Sequence, residues 1–110
     1  MERKSQLYMQ DILDSIERIE TYIKGLSFQK FSQNQMVIDA VVRNFEIIGE
    51  ASKKLPAKIK SLHPEIPWKE MAGMRNKMTH EYFGVDLKIV WKTAKQSLPD
   101  LKKSLENIFQ

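Results

Sequence analysis

Met36-Val37-Ile38-Asp39-Ala40-Val41-Val42-Arg43-Asn44-Phe45-Glu46-Ile47-Ile48-Gly49-Glu50-Ala51 decides the fold. Its apolar residues, continued by Leu55, cover nearly the whole circumference of a helix, and a helix apolar almost all round is packed on several sides. Ser32 followed three residues later by Gln35 predicts a capping box, with Phe31 and Met36 as its hydrophobic staple. Pro56 limits the helix. Gly49 costs about 1 kcal/mol in a helix interior, which predicts a close helix crossing there. The polar residues of this helix have two readings. In the first, Arg43, Glu46 and Glu50 line a narrow wet stripe and pair at i,i+3 and i,i+4. In the second, Asn44 or Glu50 faces a functional segment elsewhere and orients it, since a buried charge needs a partner.

The flanking segments follow the same helical period. Leu7, Ile12, Ile16, Ile19, Ile23 and Leu26 predict one apolar face over residues 5–24, with Asp11, Asp14, Glu17, Arg18 and Glu20 opposite. Gly25 stands where a left-handed C′ residue closes a helix. Between Pro56 and Pro67 the chain is short and basic, with room for one or two helical turns over residues 57–62. His63 precedes Pro64, reads as a surface loop residue, and is left out of any site. Pro67 at the first helical position opens a third major helix carrying Trp68, Met71, Ala72, Met78 and Phe83, ended by Gly84. Asp86 is the expected N-cap of the last helix, with Val85 and Val90 as a staple. Leu87, Val90, Trp91, Ala94, Leu98, Leu101, Leu105, Ile108 and Phe109 carry that helix onward, and Pro99 should kink it. Lys88, Lys92, Lys95, Lys102 and Lys103 give it a basic exposed side. No strand alternation, repeat or low-complexity segment appears. The expected fold is an all-α bundle of four to five helices in a single domain, residues 1–110.

Composition narrows the function classes. With no cysteine among 110 residues, disulfides and thiolate metal sites are excluded and a reducing cytoplasm suits the chain. No apolar run is long enough for a signal peptide or membrane span. A net charge of +4 is compatible with a polyanionic partner such as RNA, without requiring one.

One stretch departs from ordinary amphipathic spacing. Gly73-Met74-Arg75-Asn76-Lys77-Met78-Thr79-His80-Glu81-Tyr82-Phe83-Gly84 gathers an arginine, an asparagine, a histidine and a tyrosine between two glycines. Arg75 and His80 are separated by about 140° on a regular helix, so a joint site needs a local distortion or a second chain. Asn76 and His80 are neighbours on one face. A histidine exchanges protons near neutral pH, and a guanidinium fork holds phosphate oxygens and stabilises charge developing on them. Together they suffice for metal-independent RNA cleavage, with the ribose 2′-hydroxyl as internal nucleophile. No Asp, Glu or His cluster has metal-ligand spacing, and no glycine-rich phosphate loop is present.

The run from Arg75 to Tyr82 resembles the R-x4-H-x-Y signature of the HEPN superfamily, specifically the HepT toxins. Phe45-Glu46-Ile47-Ile48-Gly49-Glu50-Ala51 is similar to that family's central helix. Pro64-Glu65-Ile66-Pro67-Trp68 and Tyr82-Phe83-Gly84-Val85-Asp86 are similar to its flanking segments. Thr79 and His63 depart from the commoner aliphatic and aromatic residues without removing a motif position. The resemblance implies a homodimer whose two motifs meet in a basic cleft. It also implies an RNase toxin with Arg75 and His80 catalytic. Beside them, Asn76 would position His80 or the substrate backbone, and Lys77 would add phosphate attraction without specificity. An MntA-like nucleotidyltransferase antitoxin would neutralise it by transferring AMP to Tyr82. No resident cofactor is implied. The rival reading is a non-catalytic helical binding module that partners a minimal nucleotidyltransferase.

Overall fold

A computed structural model of the chain describes residues 1–74 and 86–109, with the side chain of Phe109 left undescribed. The described residues are helical and contain no strand. The long helices are α1 (Arg3–Ile23) and α3 (Gln35–Lys54), joined through the short α2 (Phe28–Ser32). Two further short helices follow, α4 (Ala57–Leu62) and α5 (Trp68–Ala72). The C-terminal rod comprises α6 (Leu87–Lys92), a π-helical turn (Thr93–Ser97) and α7 (Leu98–Phe109). The all-α expectation is therefore met.

α1 and α3 form the central pair and run antiparallel, so that Lys54 at the end of α3 places its Nζ 5.9 Å from the ring of Tyr8 near the start of α1. α7 lies along the far side of α1, where the Lys102 Nζ donates to Glu20 Oε1 at 3.0 Å. α2 closes the bundle against α6, with the Trp91 ring 5.1 Å from Phe31 and 6.2 Å from Phe28. The core that results joins Met9, Ile12, Ile16 and Ile19 of α1 to Val41, Phe45 and Ile48 of α3 and to Leu98 and Leu105 of α7. Met71 of α5 and Val90 of α6 complete it. Its favourable term is burial of apolar surface, about 25 cal/mol per Å².

The structure departs from several sequence expectations. Leu7 is 55% exposed, and Met9 and Leu13 occupy the α1 face it was assigned to. A stripe spaced at three and four admits Met9, Ile12, Leu13 and Ile16, and Leu7 falls off its edge. The capping box at Ser32 and Gln35 does not form. Ser32 ends α2 and donates to the Gln29 carbonyl at 2.8 Å, whereas Asn34 caps α3 by accepting from the Val37 N–H at 3.1 Å. Met36 is accordingly no staple and is 77% exposed. An Asx cap and a Ser cap satisfy the same orphan N–H groups, and Asn34 stands nearer the first helical residue. Ser27 does act as a cap, accepting from the Lys30 N–H at 3.2 Å to start α2.

Gly25 has φ of 77° one residue after the Lys24 C-cap, as expected of the residue that turns the chain out of α1. Pro67 precedes α5 at the N-cap position rather than at the first helical position, and α5 stops at Ala72 with Gly73 as its C-cap. The expected long third helix is thus interrupted after five residues, and its continuation through Met78 and Phe83 to Gly84 lies outside the described residues. Asp86 occupies the N-cap position of α6, but its side chain makes no capping bond. Val85, its expected staple residue, also lies outside the described residues.

The expected disturbance by Pro99 takes the form of the π-helical turn at Thr93–Ser97. Proline has no N–H to give and its ring collides with the carbonyl four residues back. Widening the preceding turn places Pro99 second in α7, where a missing N–H costs little. Thr93 reinforces the irregularity by donating its hydroxyl to the Ile89 carbonyl at 2.8 Å. Lys102 is drawn off the basic side by Glu20, leaving Lys88, Lys92, Lys95 and Lys103 exposed.

Candidate functional site

Described residues on either side of the segment at positions 75–85 belong to the core. On its N-terminal side, Met71 and Met74 are both buried and lie three residues apart, so α5 and the residue after Gly73 face inward together. The loop that aims α5 is fastened by one carbonyl. His63 O accepts from the Trp68 indole N–H at 2.9 Å and from the Ile66 backbone N–H at 3.2 Å. Trp68 and Ile66 are themselves buried. On the C-terminal side, Val90 is fully buried one turn into α6. Arg75, Asn76, Lys77, His80 and Tyr82, the motif residues, lie outside the described residues.

The two α3 candidates separate clearly. Asn44 is 5% exposed; its amide N–H donates to the Ala40 carbonyl at 2.9 Å, while its Oδ1 has no partner among the described residues. A buried acceptor without a partner costs on the order of 1–3 kcal/mol, so its retention needs a reason. Glu50 is half-buried and lines the groove between α1 and α3 beside Tyr8, Arg43 and Lys54. Arg43 and Glu46 approach within 3.8 Å on the open side of α3, as the wet-stripe reading expects. Contacts between either candidate and the motif lie outside the described residues.

Charge around the segment is uneven. Lys88, Lys92 and Lys95 recur at i, i+4 and i+7 along α6 and the π-helical turn, and all three are exposed. Lys95 sits 5.1 Å from the centre of the Trp91 ring, a cation–π contact that holds the last of the three in place. The stripe begins only a few residues after the polar stretch ends in the sequence.

Sequence reasoning missed a hollow of about 470 Å³ between α5 and the π-helical turn. Met71, Met74 and Leu101 give it an apolar floor, and Glu70, Thr93 and Ser97 supply its polar groups. The only available signal was that Thr93 and Ser97 are polar and four apart within an otherwise apolar-spaced helix. Gly73 also borders the hollow, but a Cβ there would meet only ordinary contacts at 3.5 and 3.6 Å, so the glycine is not required for space. Among the described residues, no group of three or more His, Cys, Asp or Glu is placed to hold a metal ion. None of their helices is long and apolar enough to cross a membrane.

Comparison with known proteins gives a consistent picture. Residues 12–108 match the family model described as "Ribonuclease HepT-like". A protein named "Probable ribonuclease HepT" from Thermococcus cleftensis is 47% identical over 108 residues, covering 98% of each chain. A "Putative RNase" from Methanocaldococcus jannaschii is 44% identical over 108 residues, covering 98% of this chain and 89% of the relative. Another of that description, from Caldanaerobacter subterraneus subsp. tengcongensis, is 44% identical over 103 residues, covering 94% of this chain and 92% of the relative. No solved structure matches the chain.

Proposed function

We propose, from the premise that the chain belongs to the HepT-like ribonuclease family, that it is a metal-independent endoribonuclease acting as the toxin of a toxin–antitoxin pair. The observation that carries this reading is the coincidence of family and chemistry. The family match spans the stretch that holds Arg75 and His80, and those two side chains are the types RNA cleavage needs. The basic stripe on α6 supports it by offering phosphate attraction beside that stretch.

In this reading the site is composite. Five residues of separation on a helix do not bring Arg75 and His80 onto one face, and a homodimer supplies the second copy of each. One neutral imidazole takes the proton of the ribose 2′-hydroxyl as its oxygen attacks the adjacent phosphorus. The phosphorus–5′-oxygen bond breaks, and a protonated imidazole, that of the second copy, gives its proton to the leaving oxygen. The products are a 2′,3′-cyclic phosphate and a free 5′-hydroxyl. Arg75 holds the phosphate oxygens and stabilises their growing charge. Asn76 positions His80 or the substrate backbone, and Lys77 adds attraction without specificity. We assign Asn44, whose buried Oδ1 has no partner among the described residues, a role in orienting the motif.

Regulation follows from the tyrosine two residues beyond His80. A nucleotidyltransferase antitoxin of the MntA type joins the Tyr82 oxygen to the α-phosphorus of ATP and releases pyrophosphate. The added phosphodiester is bulky and negative, so it repels an RNA phosphate at the cleft. The pair works in the cytoplasm, which suits a chain without cysteine. Mass spectrometry after incubation with the neighbour-encoded transferase and ATP tests this directly. An AMP adduct on Tyr82, with loss of RNA cleavage, is expected. An adduct elsewhere, or a modified protein that cleaves RNA undiminished, would overturn the off-switch.

A further inference from the structure

We infer that α2 and α6 present a stacking platform for single-stranded RNA, in which a base lies on the Trp91 indole and the surrounding lysines take the flanking phosphates. The inference rests on the ribonuclease reading for the class of ligand. The platform itself is built wholly from described residues.

α2 and the rod from Leu87 to Ser97 hold four lysines, Lys30, Lys88, Lys92 and Lys95, and no acidic residue. All four are exposed. The exposed side of α1, by contrast, mixes Arg18 with Asp11 and Glu17. Lys88, Trp91, Lys92 and Lys95 recur at i, i+3, i+4 and i+7, so the indole stands within the lysine stripe. A fifth cation joins at the end of α1, where Lys24 and Lys95 border one hollow of about 380 Å³. Glu20 also lines that hollow, but Lys102 donates to its carboxylate at 3.0 Å and compensates its charge.

Trp91 is half-buried rather than sealed. Phe31 and Phe28 back its ring at centroid distances of 5.1 and 6.2 Å, which fixes the plane of the indole. The Lys95 ammonium, 5.1 Å from the ring centre, is the tip of an exposed side chain. An exposed cation–π contact is weak beside base–aromatic stacking, so an arriving base displaces the ammonium, which then meets the neighbouring phosphate. A tryptophan that only closes the edge of the core needs none of these lysines. An acidic protein surface would match the lysines and leave the indole unused. A duplex would match them too, but its bases stay stacked inside the helix. A single strand uses both features, and stacking of this kind tolerates any base.

An oligodeoxyadenylate has no 2′-hydroxyl nucleophile, so the wild-type protein can be titrated with it without cutting it. The two tryptophans give two indole N–H resonances, and Trp68, buried and bonded to the His63 carbonyl, is the internal reference. A saturable upfield shift of the Trp91 resonance is expected. Inorganic polyphosphate, which brings the charge without rings, should leave that resonance near its free position. Trp91→Leu, shown to be folded by circular dichroism, should bind the oligomer about tenfold more weakly and polyphosphate as before. Because Trp91 also packs on Phe28 and Phe31, the decisive reading is the one made on the wild type. A Trp91 resonance that ignores the oligomer, or that moves equally with polyphosphate, would overturn the platform. RNA cleavage by a protein whose Trp91 ignores the oligomer would sink the platform alone, and base stacking on Trp91 in a protein that cuts no RNA would sink the nuclease reading alone.

Discussion

The indole N–H of Trp68 donates to the carbonyl of His63 at 2.9 Å, tying the first residue of α5 to the loop that follows α4. This bond sets the direction in which α5 leaves the loop. It thereby helps fix Met74, the last described residue before the motif. Trp68→Phe keeps an aromatic ring but removes the donor. His63 O keeps its bond from Ile66, so no acceptor is orphaned. The expected loss of stability is about 1–2 kcal/mol, from one hydrogen bond plus a small packing deficit. Urea unfolding should show a lower midpoint with an unchanged slope. RNA cleavage should fall more than stability does, because the motif is misdirected while the fold persists.

Asn44 should show the opposite pattern. Its Oδ1 is buried and has no partner among the described residues, so replacing the amide by an apolar group of similar shape removes a desolvation penalty. Asn44→Leu is expected to leave stability unchanged or to raise it by about 1 kcal/mol, and to lower RNA cleavage. A variant of raised stability with full activity would reduce Asn44 to a packing defect.

The Lys102–Glu20 pair joins the C-terminal rod to α1 and should be visible in the pH dependence of stability. The hydrogen bond to Glu20 raises the Lys102 pKa above 10.5. The charges of Glu20, Glu17 and Glu106 add to that, and desolvation opposes it. A lysine whose folded pKa exceeds its unfolded value contributes fully below the unfolded value, and the contribution vanishes as pH rises through the folded one. Stability should therefore drop above about pH 10.5, and the drop should shrink in Lys102→Met. At neutral pH a double-mutant cycle with Glu20→Gln should give a coupling of about 0.5 kcal/mol, because the pair is only half-buried.

Lys88 and Lys92 should act as phosphate contacts without base specificity. Replacing either by alanine is expected to weaken RNA binding about equally for all sequences. The slope of log K against log salt should fall by about 0.7 for each lost contact to a single strand. Fluorescence titration of short RNAs at several salt concentrations measures this. An unchanged slope would place the RNA elsewhere.

The bundle was legible because its main signals are periodic. Ile12, Ile16 and Ile19 repeat every three or four residues, as do Val41, Phe45 and Ile48, and each set lands in the core. Start signals were less reliable. Ser32–Gln35 and Asn34 are competing caps within four residues, and local chemistry does not choose between them until the preceding α2 is in place. Tertiary pairing was hidden altogether. Lys102 looked like one more surface lysine, because its partner Glu20 is 82 residues away. The motif stood out by residue type, whereas the hollow beside it did not. That hollow is assembled from α5 and a π-helical turn that Pro99 induces, and neither segment carries a pattern of its own.

The central claim is that His80 moves protons in a metal-independent cleavage of RNA. The most direct measurement compares wild-type and His80→Ala proteins, both shown to be folded by circular dichroism, on a labelled RNA in the presence of EDTA. The wild type should cleave, leaving a 2′,3′-cyclic phosphate. His80→Ala should be slower by about 10²–10⁴-fold, the usual contribution of a positioned acid–base group. Undiminished cleavage by a folded His80→Ala protein, or wild-type cleavage abolished by EDTA, would contradict it.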